Sequence, residues 1–106
     1  MRVVMDGTTQ NLYSLMIGID SRFPQVNVRE LQIQFPDGAY EAGNAGASVK
    51  IGSSAINGAN NVGIEDLLTP GDRQFKISLA EDISLKNKWV LGSAASTILW
   101  IETEPK

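Results

Sequence analysis

The sequence predicts an all-β fold, an antiparallel β-sandwich or jelly roll, with residues 1–106 forming one domain. Three observations predict it. Apolar residues alternate with polar ones where they cluster, turn-forming residues recur about every ten positions, and just one short stretch reads as a helical turn.

Taken in chain order, residues 1–20 read as an N-terminal arm or edge strand. Within them Leu12 to Ile19 is apolar apart from Tyr13, Ser14 and Gly18, and reads as a strand with two apolar faces. Glu30-Leu31-Gln32-Ile33-Gln34-Phe35 places Leu31, Ile33 and Phe35 on one face, which is the pattern of a half-buried strand. Ala47, Val49 and Ile51 do the same in the next segment, and Phe75, Ile77 and Leu79 in a later one. Thr97-Ile98-Leu99-Trp100-Ile101 is apolar on both faces, so it either lies centrally or meets a partner.

The punctuation between strands is Phe35-Pro36-Asp37-Gly38, Gly43-Asn44-Ala45-Gly46, Asn57-Gly58, Thr69-Pro70-Gly71-Asp72 and Gly92-Ser93. Ile64-Glu65-Asp66-Leu67-Leu68 reads as the one helical turn, ended by Pro70-Gly71. The small-residue stretch from Gly38 to Gly46 reads as a mobile loop.

Composition narrows the chemistry. With 42% hydrophobic and 20% charged residues the chain has the make-up of a globular domain, and at 106 residues it can bury roughly two-thirds of its unfolded surface. The net charge is −3 and the Lys and Arg residues are scattered singly, so no basic stripe awaits a phosphate backbone and nucleic acid is not expected as a partner. The opening Met1-Arg2-Val3-Val4-Met5-Asp6-Gly7 lacks a signal-peptide core and no run has membrane-spanning length. Synthesis in a cytoplasm and no membrane contact are therefore expected.

There is no cysteine and no histidine, which removes thiolate chemistry, the commonest general base and the commonest metal ligand. Glu65-Asp66 and Glu81-Asp82 are sequence neighbours that would point to opposite faces of a strand, so they read as solvated charges. Asp37-Gly38 and Asp20-Ser21 lack the carboxylate spacing of a calcium loop, Gly43 to Ala47 lacks the Lys-Ser/Thr of a phosphate cradle, and Ser53-Ser54 read as turn hydroxyls. No catalytic residue, cofactor or metal is expected.

The aromatics leave two readings open. Tyr40, Trp89 and Trp100 could stack sugar rings, whereas Trp100 in the most apolar strand also reads as core or interface. Trp89 follows the polar Lys86-Asn87-Lys88 and reads as the start of a strand near an edge. The residues expected to meet another protein copy are Leu12, Leu15, Ile17, Trp89, Leu99, Trp100 and Ile101.

Several blocks in order carry a resemblance. They are Val49-Lys50-Ile51-Gly52-Ser53-Ser54-Ala55-Ile56-Asn57-Gly58, Leu67-Leu68-Thr69-Pro70-Gly71, Phe75-Lys76-Ile77, Ile83-Ser84-Leu85, and the run from Trp89 to Glu102. Over residues 31–102 their order resembles small bacteriophage virion structural proteins, the capsid decoration (cement) or head-tail type β-sandwich subunits. The loop from Asn57 to Glu65 is longer than in that group, and the first thirty residues have no counterpart there. The resemblance implies a non-catalytic virion subunit, most simply a decoration protein bound to the major capsid protein, made in the host cytoplasm and associating as a trimer or ring. A head-closure, adaptor or tail subunit is the alternative within that class, and a carbohydrate-binding module is the alternative outside it.

Overall fold

The computed structural model describes residues 1–22, 26–57, 62–68 and 74–105, with side chains described at all of these except 62, 65, 74–82 and 105. They form eight strands and one helix: β1 (Arg2–Asp6), β2 (Gln10–Asn11), α1 (Leu12–Ile19), β3 (Asn27–Gln34), β4 (Val49–Asn57), β5 (Val62–Leu68), β6 (Gln74–Ser84), β7 (Trp89–Gly92) and β8 (Ala95–Pro105). One sheet runs β1-β8-β3-β6 and the other β2-β7-β4-β5.

The antiparallel pairs β1:β8, β2:β7, β3:β6 and β4:β5 are nested, each inside the one before. The chain is thus one long hairpin, rolled up so that β8 also meets β3 and β7 also meets β4. That connectivity is a jelly roll. The expected all-β sandwich is the fold.

The alternation places the core as expected. Leu31, Ile33, Phe35, Val49 and Ile51 are buried, Ala47 nearly so, and they close on Val3, Met5 and Val90 from the other strands. β6 forms where Phe75, Ile77 and Leu79 predict a strand, while the burial of those three side chains lies outside the described residues. The turn at Thr69 to Asp72 lies outside them too.

Three local expectations are corrected. The run Leu12 to Ile19 is a helix, not a strand: Asn11 caps it by accepting from the Ser14 N–H at 3.2 Å, and Leu12 and Met16, four apart, share its buried face. Ile64 to Leu68 is not a helical turn but part of β5, because pairing with β4 sets Leu68 opposite Val49 and buries both. Ser53 and Ser54 are exposed residues of β4 instead of turn residues.

The stretch after β3 is seated instead of standing free. Asp37 C=O accepts from the Tyr40 and Glu41 N–H groups at 3.1 and 2.9 Å, and Ala42–Asn44 form a 3₁₀ turn. β3 meets β8 with Ile33 opposite Ile101 and Gln34 opposite Trp100, so in the same register Pro36 falls opposite Ile98. Proline has no N–H to continue the ladder.

The fully buried Asn44 side chain takes its place. Its Oδ1 accepts from Ile98 N–H at 2.7 Å, while its Nδ2 donates to Ile98 C=O at 2.9 Å and to Pro36 C=O at 2.7 Å. Close seating needs a residue without a Cβ at Gly43, where one would lie 2.3 Å from Ser96 O. Ser96 has φ of 68° and is the extra residue of a bulge between Met5↔Thr97 and Asp6↔Ala95.

Candidate functional site

This seated loop explains the doubly apolar β8. Leu99 and Ile101 face the inter-sheet core with relative exposures of 0% and 1%, and Leu12 is likewise at 0%. None of the three has surface to offer a partner. Their expected interface role is corrected to a core role, the physical reason being that Ile98 on the opposite face of β8 is covered by the chain's own loop.

The remaining expected interface residues divide between two places. Trp100 lies on the outer face of β8, half-buried, with its indole N–H donating to Glu41 Oε2 at 3.1 Å and its ring edge-to-face with Tyr40 at 6.3 Å. Arg2 on β1 closes the cluster, giving Glu41 Oε2 and Oε1 hydrogen bonds of 2.7 and 3.3 Å from Nε and Nη2. The Arg2 hydrogen bond above all holds the Glu41 carboxyl below its usual range, against burial and with help from the indole, and Glu41 in turn raises Arg2.

Leu15 and Trp89 come together elsewhere. Trp89 begins β7, as its place after Lys86-Asn87-Lys88 predicts, and with α1 it lines an open groove of about 600 Å³ whose other walls are Gln10, Asn11, Ser14, Gly18 and Ile19. Ile17 is half-buried on the same helix. Helix and strand are fixed to one another by Asn11 Nδ2 donating to Lys86 C=O at 2.7 Å and by Leu12 N–H donating to Lys88 C=O at 2.8 Å. The groove's polar walls escape a period-two reading, but the spacing Leu12, Leu15, Met16, Ile19 behind an Asn cap is a helical signal that could have found them.

Because Trp89 stands in one sheet while Trp100 and its partner Tyr40 stand on the other, the three aromatics do not form one platform. The acidic candidates that are described bond to nearby groups of their own segments, Asp37 and Asp20 in turns and Asp66 within β5. Asp37 Oδ1 accepts from Ala39 N–H at 2.9 Å, and Asp20 Oδ1 from the backbone and Nε of Arg22 at 3.0 and 3.2 Å. Asp66 accepts from Leu67 N–H at 2.8 Å, whereas the side chains of Glu65, Glu81 and Asp82 lie outside the described residues.

Among the described residues no three His, Cys, Asp or Glu side chains are grouped to hold an ion, and no helix is long and apolar enough to cross a membrane. No protein-family model, curated protein or solved structure matches the chain.

Proposed function

We propose that this chain is a non-catalytic structural subunit of a bacteriophage particle, a decoration protein that binds the major capsid protein lattice and stabilises it. The observation that carries this reading is the coincidence of the virion-like sequence blocks with successive strands. Their described residues fall on β4, the end of β5, β6 and the 3₁₀ turn that follows it, and the run from β7 into β8. Jelly rolls serve as capsid subunits and as lectins alike, so the choice rests on the surface, not on the fold.

What the described surface offers favours packing over chemistry. Asn44 and Glu41 use their polar groups to build the scaffold, and the groove at Trp89 is lined by amides and a hydroxyl with no charged side chain among its described lining residues. A decoration protein binds intact shell in preference to separated subunits and so stabilises it by mass action, by about 2.7 kcal/mol per site at a hundredfold excess over Kd.

The test is direct. Added to empty heads of the phage that encodes it, the chain co-sediments and raises the temperature at which the heads disrupt. Loss of both effects with retained binding to neck or tail assemblies moves the chain to the head-closure, adaptor or tail role. The groove at Trp89, with its amide and hydroxyl neighbours Gln10, Asn11 and Ser14, favours the carbohydrate reading as a second one. Saccharide binding on a glycan array that is lost in Trp89→Ala, with no capsid binding, would establish it instead.

A further inference from the structure

β1 is the open edge of its sheet: β8 pairs with one side of it, and no described strand pairs with the other. Which backbone groups face that open side follows from the ladder. Met1 and Ile101 exchange both of their backbone hydrogen bonds, at 2.6 and 2.7 Å. In antiparallel pairing the bonded positions alternate, so Val3 and Met5 also turn their N–H and C=O groups to β8, while Arg2, Val4 and Asp6 turn theirs outward. The Asp6 N–H meets Gln10 Oε1 at 3.1 Å. The outward groups of Arg2 and Val4 have no hydrogen-bond partner among the described residues.

The side chains of the same three residues share the outer face, and Val4 is 45% exposed there. Their order is cation, apolar, anion. Turned end for end about Val4, this order sets each Arg2 opposite an Asp6, with Val4 against itself. Both charged groups also have capacity to spare. Arg2 gives Nε and Nη2 to Glu41 and keeps Nη1, while Asp6 receives the N–H and hydroxyl of Thr8 on Oδ1 and keeps Oδ2.

We propose that two copies of this chain pair antiparallel along β1, about a two-fold axis at Val4. The two Val4 residues exchange backbone hydrogen bonds, Arg2 of each copy faces Asp6 of the other, and the two four-stranded sheets become one of eight strands. The occupant is a second copy because the edge is its own charge complement, which a foreign strand would have to match in the same spacing. This pairing goes beyond the virion reading and does not depend on it.

Charge reversal tests the register. The parent chain should have twice its monomer mass in sedimentation velocity at high concentration. Arg2→Glu alone and Asp6→Lys alone each set like charges opposite one another twice over, and each should weaken the dimer roughly tenfold or more. An equimolar mixture of those two variants should recover the dimer, because every facing pair is again of opposite sign. Thermal melting establishes that each variant is folded. If Arg2→Glu, which also frees Glu41, does not fold, Val4→Pro replaces it, since it removes an outward N–H without touching the β8 ladder, and should be monomeric. A parent that stays monomeric, single variants that dimerise like the parent, or a mixture that remains monomeric would each overturn the proposal.

Discussion

Asn44 does at one position what a strand does along its length, satisfying both backbone groups of Ile98 after Pro36 has ended the ladder. Asn44→Ala removes three hydrogen bonds and strands buried donors and acceptors that water cannot reach, at about 1–3 kcal/mol for each orphaned group. The expected loss is about 3 kcal/mol in chemical denaturation, with the Ile98 amide losing its hydrogen-exchange protection first. Glu41 works at the other end of the same loop, and its carboxyl is depressed in the folded state. Its contribution is therefore present above the ordinary carboxylate pKa of about 4.3 and lost as pH falls through the lower folded value, with Asp6, lowered by Thr8, acting in the same direction. Melting temperature should drop on acidification below about pH 4, and Glu41→Gln should flatten that drop. Neither residue was legible as important in the sequence. A polar residue among glycines reads as loop, and what makes Asn44 structural is a strand more than fifty positions away.

At the scale of the element, alternation identified β3 and β4 because one face of each is core and the other is not, and it identified β6 by the same pattern. It failed where both faces are covered. On β8 the second apolar face belongs to the chain's own loop, and no local pattern distinguishes a loop of the same molecule from a neighbour. In α1 the apolar residues are dense enough to satisfy either period, and the Asn11 cap decides the matter. The helix also carries a correctable weakness. A Cβ at Gly18 would meet nothing within 4 Å, so Gly18→Ala should stabilise the protein by about 0.5–1 kcal/mol, read as a higher urea midpoint with an unchanged slope. The stretch from Ile64 to Leu68 makes the opposite point, since a sequence compatible with a turn of helix is held extended by its partner strand.

For the molecule as a whole, fold class was readable and strand order was not, because alternation says which way side chains point and nothing about which strand lies next door. The nested pairing has a consequence in time. β4 and β5 are neighbours in sequence, whereas β1 must find β8 across almost the entire chain, Met1 meeting Ile101 with |i−j| of 100. Closing so long a loop comes late and slowly, on the millisecond-to-second scale of contact-rich β topologies. During synthesis β1 leaves the ribosome before the other strands of this sandwich and waits for β8, which is made after them. Until β8 arrives, β1 has neither the fixed extension nor the outward-turned backbone that its free edge requires. For the pairing proposed along β1, the order of the strands in the chain acts as a check: a chain that has not finished its sandwich has no formed β1 edge to present to another.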